Sequence, residues 1–270
     1  MTALTGSSLA QFYDLLDGFE DGSPIDHLAE DLEVDMMFPG FADTPPERFN
    51  GGKPGFTHFM GLFEARGGRF RRSATLRRHN IDTMTWADNL ELMVGRGLGG
   101  RRNGTLLAAA QPAPDGRLLR YAFVMSSVVT FSDLADRAVP APGTIGRFFD
   151  RLDGISMEDP LELLSPDYMF EMVFPGFGVP EDDRIAGTKA DFEQFMTAHL
   201  ARRPRKSVTQ EERRHHIRTA TIADRLEIVV GQAINGRRNG TIIAAAESDG
   251  DGRMRRFIVA MAPEVVFPAP

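Results

Sequence analysis

The sequence predicts an α+β protein made of two fused copies of one domain. First, segment 12–131 returns as 148–267 at a constant offset of 136 residues, without a gap, and about 50 of 120 aligned positions are identical. Second, each copy begins with apolar residues at helical spacing and ends with alternating apolar residues, as in strands. Third, Asn-Gly and Asp-Gly pairs separate the later strands, as in hairpins. This order indicates a curved sheet wrapped around helices, with a cone-shaped interior.

The repeat also predicts the domain boundaries. Gly-Arg-Arg-Asn-Gly-Thr at 100–105 recurs at 236–241, and the repeat length is that of a whole small domain. The Pro-containing segment 138–143 is typical of a short linker. We therefore expect domain 1 over 1–137 and domain 2 over 144–270.

The helices of each copy are predicted from spacing and capping. Leu9, Phe12 and Leu15 share one helical face over 8–20. Ser23 as a cap and Pro24 at the first position predict a second short helix over 24–30. A third helix is predicted over 53–65, because this segment places Phe56, Phe59 and Met60 on one helical face.

The strands follow from alternation and turn residues. Val34, Met36 and Phe38 alternate as a strand that Pro39-Gly40 ends. Asn103-Gly104 and Asp115-Gly116 are hairpin signals between later strands. The later strands are predicted over 72–86, 89–98, 105–112 and 117–131.

Composition excludes several classes of protein. The net charge of −7 argues against a general nucleic-acid binder, and no apolar run reaches the length of a membrane span. The N-terminus has no basic region followed by an apolar core, so no secretory signal is predicted. The absence of cysteine excludes disulfides and thiolate chemistry, and a cytoplasmic location fits it.

Arginine supplies nearly all of the positive charge, with 28 arginines against three lysines. The arginines cluster at 66–78 and 202–218. One interpretation is a strand and its approach loop with solvated arginines; the other is a site that grips planar polar groups by paired hydrogen bonds. RNA binding is disfavoured because interleaved aromatic residues are missing.

The element order, together with several short motifs, resembles the NTF2-like superfamily and its SnoaL-like branch. The motifs are Phe-Pro-Gly-Phe at 38–41 and 174–177, Gly-Lys at 52–53, and Arg-His-Asn-Ile or Arg-His-His-Ile at 78–81 and 214–217. The resemblance implies a cavity between the helices and the concave sheet face. It also implies pairing through the outer sheet face, which in a fused protein gives an internal pseudo-twofold dimer that can assemble further.

His79 and His215 are the candidate bases, at matching positions on a predicted strand. They alternate in phase with Ile81 and Thr83 in the first copy, and the resemblance implies that the histidine points into the cavity. A neutral imidazole is a natural general base at neutral pH. The alternative is a core histidine bonded to backbone. Arg78 is predicted on the opposite face, as a substrate-binding group or an ion-pair partner.

The resemblance also implies an acid that orients the histidine, and Asp21 is the candidate. The second copy has Met157 at the equivalent position, so an intact dyad is expected in the first copy. The alternative for Asp21 is a solvated loop residue.

Tyr13 matches the oxyanion-binding tyrosine of the ketosteroid isomerase branch, where the second copy has Phe149. The base of that branch falls on Phe38, which makes steroid isomerisation an unlikely function. The second oxyanion donor of the ketosteroid isomerase branch corresponds to Gln111 in the first copy and Glu247 in the second. Each of these residues follows an Ala-Ala-Ala segment of a predicted strand. Small side chains there leave room for a bulky ligand or for a packed helix.

The remaining wall candidates are Asp35, His58 and Tyr121. Asp35 is either an inward group or an acid that is solvated or paired with arginine. His58, on an amphipathic helix, is either a wall residue or a surface residue. No metal-ligand spacing and no phosphate loop is present, so we expect a site without metal or cofactor.

These observations favour a cofactor-independent lyase or dehydratase for a bulky aromatic or polycyclic small molecule. A histidine moves a proton while polar groups hold the developing oxyanion. By analogy at the level of the fold, one enzyme of this kind would be a lyase that breaks a carbon–carbon bond of lignin-derived diarylpropanes and releases formaldehyde. The alternatives are a non-catalytic binder of an apolar ligand and an interaction scaffold.

Overall fold

The protein is described from a computed structural model, which covers residues 6–39, 48–67, 79–98, 103–176, 183–202, 204–234 and 239–268. The chain forms two compact units. The first contains Met1–Ser127 with Glu264–Pro270, and the second contains Val128–Pro263. No helix in the described part of the chain is long and apolar enough to cross a lipid bilayer.

The first unit is a six-stranded mixed sheet with two α-helices. The described strands lie in the order β2-β1-β6-β5-β4-β3. Among these neighbouring pairs, β1 with β6 is parallel and the other four are antiparallel. The elements are α1 (Ser8–Asp17), β1 (Leu28–Met37), β2 (Arg48–Gly51), α2 (Lys53–Gly67), β3 (His79–Ala87), β4 (Leu90–Leu98), β5 (Asn103–Pro112) and β6 (Leu118–Ser126).

The second unit repeats this topology, with the order β8-β7-β12-β11-β10-β9 and parallel pairing of β7 with β12. Two α+β units of the same topology are thereby confirmed, as the sequence repeat predicts. The elements are α3 (Thr144–Asp153), β7 (Leu164–Val173), β8 (Arg184–Thr188), α4 (Lys189–Arg202), β9 (His215–Ala223), β10 (Leu226–Ile234), β11 (Asn239–Ser248) and β12 (Met254–Ala262).

One sheet face of each unit packs against the helices and forms the core. In the first unit Phe12 of α1 and Phe56 of α2 are buried against Tyr121 of β6. Ala108 and Ala110 of β5 belong to the same cluster, so their small side chains accommodate the packed helices. Neighbouring rings lie 4.9–6.1 Å apart between centroids, which fills much of the interior with the protein's own side chains.

The predicted short helix over 24–30 is wrong. The chain turns there, with the backbone N–H of Asp26 donating to Ser23 O and that of Leu28 to Ile25 O. From Leu28 onward the backbone pairs with β6 instead, and this sheet pairing outweighs local helical propensity. In the second unit a short 3-10 helix spans Pro160–Leu163. Among the described residues each unit thus has two α-helices, not the three predicted.

Two strand assignments also change. The edge strands β2 and β8 were not predicted, because they are short and lack a clear apolar alternation. Asn103-Gly104 lies within β5, opposite Leu98 and Gly97, so this pair is not the hairpin turn itself. Asp115-Gly116 does form a turn, in which Gly116 has a φ of 83°.

The compact units do not end at the predicted linker 138–143. Val129 and Phe131 are fully or almost fully buried and belong to the second unit, while Val265 and Phe267 belong to the first. The change of unit lies after Ser127. The boundaries 1–137 and 144–270, which were drawn from the sequence repeat, stay a prediction.

A bulge interrupts β3 in the first sheet and β9 in the second. The register of β3 on β4 shifts between Ile81 and Thr83, so that Ile81 and Met84 both pack on the core. The predicted phase of Thr83 with His79 is therefore wrong. Gly95 lies opposite Ile81, and a Cβ there would come 2.6 Å from the carbonyl oxygen of Asn80.

Gly95→Ala should lower the free energy of unfolding by roughly 1–3 kcal/mol, because its methyl group collides with rigid backbone at the bulge. Gly61→Ala is the matched control. It lies in α2 with nothing near its Cβ, and should raise stability by about 0.5–1 kcal/mol. Urea denaturation of both variants measures the difference. Equal stability of the two would contradict this account of the bulge.

Candidate functional site

An aspartate at the end of α1 binds the first residue of β3. Asp17 Oδ1 accepts a hydrogen bond from His79 Nδ1 at 2.6 Å, and Oδ2 accepts one from the backbone N–H of His79 at 2.9 Å. The Asp17 carboxylate is fully buried, whereas the His79 side chain is 21% exposed. Because an ionised carboxylate only accepts, Nδ1 carries the proton and a neutral His79 has its lone pair on Nε2.

The second unit contains the same pair. His215 Nδ1 donates to Asp153 Oδ1 at 2.6 Å, and the His215 backbone N–H donates to Oδ2 at 2.8 Å. Arg214 adds a backbone hydrogen bond at 3.1 Å and a guanidinium 3.4 Å from Asp153. Burial works to raise the pKa of Asp153, but the bonds from His215 and the charge of Arg214 outweigh it and lower that pKa.

These contacts correct the partner of His79 from Asp21 to Asp17. Asp21 lies beyond the helix end and is exposed. The expectation of a dyad in the first copy alone is also overturned, because Asp153 is the repeat of Asp17. The repeated Asp-Gly pairs, Asp17-Gly18 and Asp153-Gly154, carried the signal.

Tyr13 and Tyr121 form a buried pair of phenols beside this dyad. Their hydroxyl oxygens are 2.5 Å apart, and the Tyr13 ring lies 5.0 Å from the His79 ring. Burial raises the pKa of Tyr13; the bond to Tyr121 opposes this, and the charge of Asp17 adds to it. Burial likewise raises the pKa of Tyr121 well above its usual range. Both phenols therefore stay protonated at neutral pH and remain hydrogen-bond donors.

The second unit lacks this pair. Phe149 and Phe257 replace Tyr13 and Tyr121, and the Phe149 ring lies 4.8 Å from the His215 ring. A different phenol, Tyr168 of β7, is buried in this core, where the first unit has Leu32. The sequence interpretation did not single out Tyr168.

A buried glutamate holds the opposite end of the helix. Glu91 of β4 accepts from the backbone N–H groups of Ser8 and Leu9 at 2.8 and 2.6 Å, and from the Ser7 hydroxyl at 2.7 Å. In the second unit, Glu227 accepts from the N–H of Ile145 at 3.1 Å. A carboxylate at a helix N-terminus satisfies free N–H groups and complements the helix dipole. The helix that carries Tyr13 and Asp17 is thus attached to the sheet at both ends.

Gln111 and Glu247 do not face the helices. Ala110 and Ala246 point into the cores, so by strand alternation the next residues point to the opposite sheet face. Gln111 accepts from Arg120 at 2.8 Å. Glu247 accepts from the backbone N–H and the hydroxyl of Ser132, both at 2.7 Å. Neither residue is placed to bind an oxyanion beside the histidine.

Asp35 also lies on this outer face, because its neighbours Val34 and Met36 are in the core. Arg48 donates two hydrogen bonds of 2.8 Å to its carboxylate. Burial raises the pKa of Asp35, and Arg48 opposes that shift. The arginine-paired interpretation of Asp35 therefore matches the geometry.

His58 does not join the dyad. His58 is exposed on α2, where Phe56 and Phe59 face the core. Arg78 lies outside the described residues. Across the described ranges, no three histidine or carboxylate side chains come together in a way that could hold a metal ion.

Comparison with known proteins adds likenesses of fold. A SnoaL-like protein of unknown function from Burkholderia thailandensis matches with 15% identity and a TM-score of 0.32, over 44% of this chain and 94% of that one. A loop-truncation variant of IdmH matches with 17% identity and a TM-score of 0.30, over 44% and 89%. An NTF2-like protein of unknown function from Burkholderia xenovorans matches with 13% identity and a TM-score of 0.31, over 52% and 88%. No protein-family model and no curated protein matches the chain.

Asp153→Asn should destabilise the second unit by about 1–3 kcal/mol at neutral pH, because the charge-assisted bonds to His215 and Arg214 are lost. The folded pKa of Asp153 lies below its value in the unfolded chain, about 3.9. Its contribution is therefore complete above about pH 5 and is lost as the pH falls through the folded pKa. Denaturation of wild type and variant from pH 3 to pH 7 tests this. A stability difference that does not shrink in acid would contradict it.

Proposed function

We propose that the first unit is a general acid–base site for a small apolar molecule that carries a carbonyl or hydroxyl group. The observation that carries the proposal is the Asp17–His79 pair. It fixes the imidazole by its Nδ1–H and leaves Nε2 as the basic atom on a partly exposed ring. This arrangement matches a histidine that takes up a proton while a buried carboxylate stabilises the resulting imidazolium.

The phenol pair supplies the complementary group. Tyr13 and Tyr121 have two hydroxyl protons, and the bond between their oxygens uses one of them. One proton remains to be donated to a ligand oxygen. When His79 Nε2 removes a proton next to a carbonyl, the electron pair moves onto the carbonyl oxygen. A preorganised phenol in an apolar site stabilises that enolate or phenolate.

A base and one oxyanion donor suit dehydration, isomerisation and carbon–carbon cleavage next to a carbonyl or phenol. The proposed reaction class is a lyase or dehydratase that acts on an aromatic or polycyclic compound without a cofactor. Its narrowest form is the deformylation of a diarylpropane. A phenol there loses its benzylic hydroxyl as water to give a quinone methide, which then releases formaldehyde as the carbon–carbon bond breaks. The shared fold plan is the sole support for that narrow form.

A second candidate is an interaction scaffold whose dyad is structural. It is favoured by the packed aromatic core, where Phe12, Phe56 and Phe59 occupy space that a ligand would need. It is also favoured by the second role of Asp17, which holds the backbone of His79 in place. The two candidates differ in what loss of the His79 ring does to proton transfer.

His79→Gln should lower proton abstraction by about 10²–10⁴-fold, because the base is lost while a polar side chain of similar size remains. The measurement is deuterium exchange at the carbon next to the carbonyl of β-tetralone, followed by NMR in heavy water. This reaction requires a base and an oxyanion donor and no other substrate. Tyr13→Phe should lower the rate by roughly 10²-fold or more.

Asp21→Asn is the matched control for Asp17→Asn, and His215→Gln shows whether the second unit contributes. We expect Asp21→Asn to retain wild-type exchange and Asp17→Asn to lose most of it. A folded His79→Gln protein that exchanges at the wild-type rate would remove the histidine from the mechanism. Wild-type protein that neither exchanges nor binds β-tetralone would favour the scaffold.

A further inference from the structure

We propose that the Tyr168 hydroxyl is the hydrogen-bond donor of a second ligand site, in the core of the second unit, for an apolar aromatic molecule with one acceptor oxygen, such as an aryl ketone. The proposal goes beyond the proposed function. It shares with it only the premise that such a core admits an apolar ligand.

Tyr168 is held rigidly among aromatic rings. Its ring stacks on Phe170, with centroids 5.5 Å apart and an interplanar angle of 6°, and meets the edge of Phe192 of α4 at 6.1 Å. The residue is 1% exposed. Its hydroxyl has no hydrogen-bond partner within the described parts of the chain. A buried hydroxyl without a partner is unfavourable and rare in folded proteins, so an acceptor that completes it is expected.

The fold itself does not need this hydroxyl. The matching residue of the first unit is Leu32, which is 4% exposed in an equivalent core. An apolar side chain therefore suffices to build this position. Tyr168 adds a hydrogen-bond donor at a position that packing can fill with an apolar side chain.

The two units carry their tyrosines at different positions of the repeat. In the first unit the phenols come from α1 and β6, as Tyr13 and Tyr121, while the second unit has phenylalanine at both positions. In the second unit the phenol comes from β7. Each unit thus combines the same Asp–His pair with one phenolic proton left to donate, but the phenols of the two units stand on different elements of the fold. The two sites should therefore prefer ligands whose oxygen is placed differently.

The rest of this core sets the ligand class. The side chains of this cluster are apolar, and Met172 and Met196 within it are flexible, so that they can move to admit a guest. One donor in an apolar enclosure selects a ligand with a single acceptor and rejects charged ones. The buried aromatic residues of this cluster, besides Tyr168, are Phe148, Phe149, Phe170, Phe174, Phe192 and Phe257.

The chain has only three tyrosines, which makes a direct test possible. In the full-length Tyr13→Phe/Tyr121→Phe protein, Tyr168 is the sole tyrosine, and carbon-13 labelling of its Cζ gives one resonance. The two substitutions copy residues that the second unit already uses. Acetophenone is the probe, and isopropylbenzene is its isostere without an acceptor. We expect acetophenone to shift the resonance clearly more than isopropylbenzene does, because only the ketone accepts a hydrogen bond from the Tyr168 hydroxyl.

Tyr168→Phe in the same background should weaken acetophenone binding about three- to tenfold and leave isopropylbenzene binding unchanged. It should not lower the Tm, because the hydroxyl has no internal bond to lose. A Tyr168 resonance that does not respond to saturating acetophenone would overturn the proposal. So would a Tm lowered by several degrees with unchanged ketone preference, since the hydroxyl would then serve the fold. The readout is binding in the second unit, so it is independent of whether His79 exchanges protons in the first.

Discussion

A buried carboxylate at the last turn of the first helix in each unit joins that end of the helix to the sheet. Asp17 and Asp153 end their helices and accept two hydrogen bonds each from one histidine, one from the ring and one from the backbone. The same contact therefore sets where the strand begins and which way the imidazole points. Without it, two donors of the histidine would lose their acceptor, and the ring would be free to rotate.

The position of the helix between two carboxylates explains why the phenol lies beside the imidazole. Glu91 holds the first turn of α1 to β4, and Asp17 holds the last turn to β3. Tyr13, between them, has little freedom to shift along the sheet. The bulge after Ile81 then turns the strand so that Ile81 and Met84 close the core next to His79.

Much of the fold could be predicted from the sequence because the repeat and the periodicities are local signals. The partner of His79 could not, since the approach of a helix end to a strand is a tertiary contact, and both Asp17 and Asp21 were near enough along the chain. The face occupied by Gln111 and Glu247 was missed for a related reason. Ala-Ala-Ala has no apolar alternation, so it does not reveal which residues point inward. The short helix predicted after Ser23 does not form, because the chain pairs into the sheet from Leu28 onward and no local pattern indicates that pairing.

A duplication copies structural residues and functional residues alike, so the repeated dyad does not by itself distinguish them. The phenols are more informative. Phe149 and Phe257 pack in the second unit as Tyr13 and Tyr121 do in the first, which means that the hydroxyls of the first pair are not needed for packing. The position of Tyr168 in the second unit is occupied by Leu32 in the first, so there it is the second unit that has a hydroxyl which packing does not need. Buried hydroxyls that packing does not require, on α1 and β6 in the first unit and on β7 in the second, are thus among the differences between the two copies. Packing alone therefore does not account for the different placement of the phenols in the two cores.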